Sequence, residues 1–337
     1  MRILFCSHVF APSVGGIETV SRMLAEEFVR QGHEVTLVTH TVGGTDQGQG
    51  YRICRRPTLI QWVALLRGCD VVFHNNISLR AAWPLLLLRR PWVVAHHVWI
   101  PRNGLAGRLK RWLLRRARCI AASQPLADHL DTASTVIPNP YDDAQFRSMP
   151  QVPRQGDLVF VGRLVSDKGV HVLLDALGLL AGRGSKPGLT IVGEGPEDAA
   201  LRAQTQALGI AAQVCFLGLQ RGDDLVRTLN GHRILVVPSV WREPFGLVAL
   251  EGLACGCIPV VASGGGLPEA AGPGGVTFHR GESLSLADVL QGLLDTPREA
   301  SVMQQEQATM HLLSHRLDTV AARYLAVLAS ARSDSGV

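Results

Sequence analysis

The sequence predicts an α/β protein built as two doubly wound parallel-sheet domains. Its 337 residues exceed what one hydrophobic core usually organises, so two domains of about 150 residues each are expected. Hydrophobic residues make up 47% of the chain and charged residues 18%, enough apolar material to fill two cores. Short apolar runs of strand length alternate with segments of helical periodicity, and 35 glycines and 18 prolines punctuate them.

Ile3 to Val9 reads as the opening strand, and the loop Phe10 to Gly16 leads into a helix over Ile17 to Arg30. Gly32-His33 ends that helix and Val35 to Thr39 is the next strand, which completes a βαβ unit. Gly15-Gly16, at the strand-to-helix turn, permits the close backbone approach that phosphates exploit, although any tight turn asks for glycine too. Gly43 to Gly50 reads as a glycine-rich loop. Asp70 to Phe73 and Pro91 to Ala95 are further strands, closed by His74-Asn75-Asn76 and by His96-His97. Ligands of open parallel sheets gather at the carboxyl ends of strands, so these polar clusters stand where a site would form. A histidine at a strand end more often caps or packs.

Leu105 to Arg118 has Leu105, Leu109, Trp112, Leu113 and Ala117 along one helical side and six basic residues elsewhere. Three roles fit it: a helix lying on an anionic membrane surface, a plain amphipathic helix with solvated arginines, or a phosphate-binding face. Cys119 to Ser123 and Thr135 to Ile137 read as the last strands of the first domain. Met149 to Asp157, with two prolines among polar residues, is the linker, so the domains are expected at 1–150 and 151–312.

The second domain repeats the pattern. Strand Leu158 to Val161 ends at Gly162-Arg163, and Lys168-Gly169 opens a helix over Val170 to Leu180. Leu189 to Val192 is a strand ended by Gly193-Glu194-Gly195-Pro196, and Leu235 to Val237 delivers the chain to Pro238. From there to Glu269 runs the stretch that concentrates chemistry. A helix starts near Gly246, whose unpaired first-turn N–H groups at Gly246 and Leu247 make an anion site. Glu251 lies one turn beyond Leu247, and Glu243 precedes the helix. A ligand meeting both carboxylates would carry hydroxyls at each end and phosphate in the middle, as a nucleotide sugar does. Taken singly, a carboxylate before or within a helix is usually a solvated group.

Charge sharpens this. The chain has 30 Arg and only 3 Lys, so Lys168 is against its habit. Arg163 and Lys168, after a strand and before a helix, could neutralise a diphosphate without a metal, and no Asp-x-Asp pattern is present to hold one. Residues 1–150 hold 18 Lys/Arg against 10 Asp/Glu, whereas 151–337 hold 15 against 18. Within the basic half, Arg80 to Arg118 carries ten basic residues, no acidic one and four tryptophans. No recognised nucleic-acid module accompanies that charge, so nucleic acid is not an expected partner. No apolar run reaches the roughly 18 residues of a membrane span. MRILFCSHVF reads as a strand without a small-residue cleavage site, and seven scattered cysteines suit a reducing compartment; a cytoplasmic location is expected, with peripheral attachment to the inner face of the membrane as the variant. Cys255 and Cys257 read as buried small residues.

The chain resembles the GT-B retaining glycosyltransferases of glycosyltransferase family 4 over nearly its whole length. The likeness is carried by Gly15-Gly16-Ile17-Glu18, Ile137-Pro138-Asn139, Val161-Gly162-Arg163-Leu164 with Lys168-Gly169, Ile191 to Pro196, Glu243-Pro244-Phe245-Gly246 closing with Glu251, and Gly265 to Glu269. The resemblance implies two Rossmann-like domains facing a central cleft, the first binding acceptor and the second the nucleotide sugar, with a C-terminal helix over 313–330 returning to the first domain. It implies that Glu251 holds ribose hydroxyls and Glu243 those of the donor sugar. Arg163, Lys168, Gly193 and the backbone of Phe245, Gly246, Leu247, Gly15 and Gly16 would hold the nucleotide, and His97, with His96 in reserve, would lie near the sugar. It further implies retention at the anomeric carbon, with a UDP- or GDP-sugar as substrate and no cofactor or metal, while the basic, tryptophan-bearing first domain suggests a lipid-linked or phosphate-bearing glycan acceptor of envelope or exopolysaccharide synthesis. A non-catalytic nucleotide-sugar-binding scaffold and another GT-B enzyme such as an epimerase are the alternatives left open.

Overall fold

The computed structural model describes residues 1–13, 15–44, 50–296 and 302–333, and over 302–306 the backbone alone. Residues 45–49 of the Gly43 to Gly50 stretch and 334–337 of the polar tail lie outside the described residues. The chain forms two compact units, Met1–Pro140 with His315–Val337, and Tyr141–Ser314.

The strands of the first unit are β1 (Arg2–Ser7), β2 (Glu34–Thr39), β3 (Arg52–Arg55), β4 (Val71–Asn75), β5 (Trp92–His96), β6 (Arg118–Ala121) and β7 (Ser134–Val136). Those of the second are β8 (Gly156–Val161), β9 (Leu189–Val192), β10 (Val214–Gly218), β11 (His232–Val237), β12 (Ile258–Ala262) and β13 (Val276–Phe278). The helices used below are α1 (Gly16–Arg30), α2 (Leu79–Ala82), α3 (Leu105–Leu114), α4 (Val170–Gly182), α5 (Leu247–Ala254) and α6 (Leu317–Ser333). The sheet orders are β3-β2-β1-β4-β5-β6-β7 and β10-β9-β8-β11-β12-β13, and every pairing is parallel.

Strands covered on both faces must be apolar throughout. β4 is buried along its whole length, and Leu158, Val159, Phe160 and Leu235 at the centre of the second sheet are equally buried. α1 buries Val20, Met23, Leu24 and Phe28, the one-face spacing of a helix. Phe28 joins Phe5 and Phe73, whose rings meet edge to face at 4.7 Å, at the centre of the first unit. α6 packs on α1, β4 and β5 and sends Tyr324 into the same cluster, 5.7 Å from the Phe73 ring.

Three differences from the expected elements have local causes. The helix expected over Leu105 to Arg118 ends at Leu114, because Arg118 already starts β6 beside Val93. Ile3 to Val9 shortens to β1, whose last pairing is Ser7 with Asn75. The first unit ends at Pro140, ahead of the proline-rich linker candidate, because the following segment is anchored on the second unit: Met149 N–H donates to Asn230 Oδ1 at 2.6 Å and Asn230 Nδ2 donates to the Arg147 carbonyl at 3.0 Å. No helix among the described residues is long and apolar enough to cross a membrane.

Candidate active site

Both sheets reverse strand order between their first and fourth strands, at β1/β4 and at β8/β11. A crevice opens outside the carboxyl ends of strands at such a switch, and ligands of α/β sheets bind there.

In the second unit, β8 runs out at Val161 and Gly162-Arg163 follow; β11 runs out at Val237 and the loop 238–246 follows. The two exits are stitched together by the backbone. Val240 N–H donates to the Asp167 carbonyl at 3.0 Å, and Gly169, in the left-handed region at φ 69°, sits so close that a Cβ there would lie 2.0 Å from the Pro238 carbonyl oxygen. This approach sets Lys168 against Glu243. Lys168 Nζ donates to Glu243 Oε1 at 2.8 Å, and the Ser239 hydroxyl donates to the same oxygen. Glu243 is buried and Lys168 half-buried, so these two donors meet the carboxylate in a poorly solvated place. Oε2 of Glu243 makes no hydrogen bond with any described residue, which leaves it as an acceptor for a ligand hydroxyl. Behind the loop, Gly266 N–H donates to the Glu243 carbonyl at 2.8 Å, and a Cβ on Gly265 would come within 2.3 Å of that carbonyl.

The other residues expected in the second unit lie just past the ends of β8 and β9, at the start of α5 and on it. Arg163 is exposed and makes no ion pair with a described residue. Gly193, at the end of β9 with φ 141°, touches the end of β8: a Cβ would lie 1.8 Å from the Gly162 oxygen. Gly246, at φ 133°, precedes α5, whose first residue is Leu247; Phe245 beside it is buried. Glu251 is half-buried on α5. Burial raises its carboxyl to about 7, and the nearby Asp142 carboxylate adds to the rise.

The first unit presents a different chemistry at its switch. His74, His96 and His97 are all buried, and burial lowers them to about 3, 3 and 4, so each ring is neutral at neutral pH. Neither ring nitrogen of His97 meets a partner at hydrogen-bond geometry, although the Asn139 side chain is near enough to favour the charged form slightly. The His97 N–H donates to Asn76 Oδ1 at 2.7 Å, with Asn76 in the left-handed region at φ 68°. A pocket of 610 Å³ opens at the ends of β1 and β4, lined by His8, Ile17, Asn75, Asn76, Arg80 and Lys110 among others. Gly15, in extended backbone, caps α1, and Gly16 is the first residue of that helix.

The structure thus joins Lys168 with Glu243, and sets Gly193 against the Gly162 that precedes Arg163. Ser239 and Asp142 were not legible as site residues, whereas Asn76 and Asn139 stand in stretches the sequence singles out, without a role of their own. Asp142 acts on Glu251 from a distant segment, and Ser239, four residues before Glu243 in the same loop, shows in the sequence only as a polar residue after a strand.

Two units of parallel sheet with this strand order are the architecture of the GT-B fold. The chain belongs to glycosyltransferase family 4: the family described as Glycosyl transferases group 1 matches residues 142–310, and Glycosyltransferase Family 4 matches residues 14–145. Glycogen synthase of Mycobacterium tuberculosis is 28% identical over 94% of this chain and 91% of its own length. D-inositol 3-phosphate glycosyltransferase of Mycobacterium avium is 34% identical over 55% of this chain and 45% of its own. Among solved structures, Anabaena Alr3699/HepE in complex with UDP superposes with a TM-score of 0.82 at 22% identity, covering 98% of this chain and all of that one.

Proposed function

We propose that the protein transfers a sugar from a nucleoside diphosphate sugar to a hydroxyl of an acceptor, with retention at the anomeric carbon and without a metal or other cofactor. The observation that carries this is the Lys168–Glu243 pair at the β8/β11 switch, together with the exposed Arg163 just past the end of β8 and Glu243 Oε2, which has no hydrogen bond with a described residue. Arg163, Lys168 and the backbone N–H groups of Phe245, Gly246 and Leu247 hold the diphosphate; Gly193 lets it approach the sheet. Glu251 accepts from the ribose hydroxyls, and Glu243 Oε2 from those of the donor sugar. Gly15, Gly16 and His97 of the first unit are assigned to the diphosphate and the sugar respectively, with His96 as the alternative ring. The Anabaena Alr3699/HepE complexes with UDP and with UDP-glucose support a uridine donor among the nucleotides to be tried first.

In the transfer, the bond from the anomeric carbon to the phosphate oxygen breaks and the acceptor oxygen bonds to the same face. The acceptor proton passes to the departing phosphate. Charge grows on the diphosphate as this happens, and fixed cations at that point are the strongest aid a protein offers. The basic first unit and the pocket bearing Arg80 and Lys110 support an acceptor that carries phosphate, free or lipid-linked, of the kind used in glycan assembly.

A thermal-shift panel of UDP, GDP and ADP with their glucose conjugates tests the donor, since a ligand bound only by the native state raises its melting temperature. One nucleotide should stand out; a panel in which none does sinks the assignment. Release of nucleotide with no sugar transferred to any phosphate-bearing glycan would instead favour the scaffold alternative.

A further inference from the structure

A solvated amphipathic helix turns its apolar line to the core and its charges to water. α3 does the reverse with much of its apolar surface. Its core face is Gly107, Leu113 and Leu114, with Gly107 pressed so near Pro101 that a Cβ would lie 2.2 Å from the carbonyl oxygen. Leu105, Leu109 and Trp112, one turn apart along the helix, are 83%, 41% and 43% exposed. α2 packs on α3, and the turn that follows α2 adds Leu87, 76% exposed. Arg102, Arg108, Arg115 and Arg116 stand exposed on and beside the same helix, none in an ion pair with a described residue, and the Arg116 guanidinium lies over the Trp112 ring at 4.7 Å. Arg111 is taken by Asp131 at 2.8 Å and is not part of this surface.

From this juxtaposition we infer that the outward face of α3 and the turn before β5 is a docking surface for an anionic lipid bilayer. The choice of lipid over a second copy of the chain rests on charge. From Arg80 to Arg118 there are ten basic residues and no acidic one, so two such faces would repel, whereas apolar side chains interleaved with arginines suit a layer of headgroups over acyl chains. Lys110, on the same helix, lines the 610 Å³ pocket at the ends of β1 and β4. Docking through α3 therefore brings that pocket to the level of the headgroups. This last consequence rests on the proposed transferase function; the docking itself does not.

The test is flotation of the full chain with vesicles of phosphatidylcholine alone or mixed with phosphatidylglycerol, while ionic strength is raised from about 0.01 M to about 1 M, which shrinks the Debye length from about 30 Å to about 3 Å. Binding to the anionic vesicles that falls steeply with salt is expected, with a blue shift of tryptophan emission. The exposed pair Leu105→Ser with Leu109→Ser should weaken it about tenfold or more without altering the melting temperature. Arg108→Gln and Arg115→Gln should each weaken it about fivefold. Absent binding, or binding indifferent to salt and to lipid charge, overturns the inference. So does a loss of self-association in the leucine pair, by light scattering, with vesicle binding unchanged. Soluble glucose 6-phosphate should leave flotation unchanged; competition by it would assign the interaction to a phosphate pocket instead of a surface. Nucleotide-induced thermal shifts should persist in all four substitutions, so failure of docking and failure of the donor assignment are told apart.

Discussion

The two units share one wiring of the sheet at their switch points and fill it with opposite chemistry. In the second, β8 and β11 deliver charged groups: Lys168 against Glu243, Arg163 in solvent, and Glu251 partly desolvated. In the first, β4 and β5 deliver buried neutral rings and amides, His74, His96, His97 and Asn75, with polar atoms that find no partner among the described residues. Topology places a site; it does not choose the residues in it. A charged diphosphate calls for fixed cations, whereas uncharged hydroxyls can be met by neutral donors and acceptors.

The largest expected effect breaks the second unit itself. Gly193→Ala would set a Cβ 1.8 Å from the Gly162 oxygen at φ 141°, and strain plus overlap should cost about 3 to 5 kcal/mol in urea unfolding. Gly209→Ala, also at positive φ but with nothing within 4 Å, should cost about 1 kcal/mol and serves as its control. Next, Lys168→Ala leaves Glu243 buried with Ser239 alone. Turnover should fall about 10²- to 10³-fold in a steady-state assay. Stability should fall by about 2 kcal/mol, less than for fully buried pairs because Lys168 keeps 25% of its side-chain exposure. Unchanged turnover would remove the cation from the mechanism. Glu251→Ala should weaken nucleotide binding by about 1 to 3 kcal/mol by calorimetry.

Acid and base should separate the units by sign. Glu251 rises from 4.5 to about 7 in the folded chain, so between those values the native state binds more protons than the unfolded one and stability falls as pH rises. His97 falls from 6.5 to about 4, so between those values the native state binds fewer, and stability falls as pH falls. Hydrogen exchange read segment by segment should show the first unit loosening below about 6.5 while Glu251→Gln flattens the opposite trend in the second. Equal responses in both units would contradict the assignment of these shifts. The smallest effect expected is Tyr324→Phe. The Tyr324 hydroxyl is buried without a partner among the described residues, so its removal should stabilise the first unit by about 1 kcal/mol, seen as a higher unfolding midpoint.

Much of this is legible in the sequence. The alternation of apolar runs with helical periodicity gave both sheets, because strands covered on two faces must be apolar throughout. Gly246 ahead of Leu247 to Ala254 showed the helix start, and the scarcity of lysine singled out Lys168. The strand Arg52–Arg55 was missed, since Arg-Ile-Cys-Arg is too short and too charged at its ends to show a period.

Sequence by itself determined the two α/β units, their glycine turns and the residues able to carry charge, because propensity, period and composition are local properties. Only tertiary structure decided which of those charges meet. Glu243 reaches Lys168, 75 positions away, through the approach of Gly169 to Pro238, and Glu251 feels Asp142 across more than a hundred residues. Nor could the pattern of α3 say which side faces water. Leu105, Leu109 and Trp112 look like a core stripe in the sequence, and they are exposed because the helix turns Gly107, Leu113 and Leu114 inward instead.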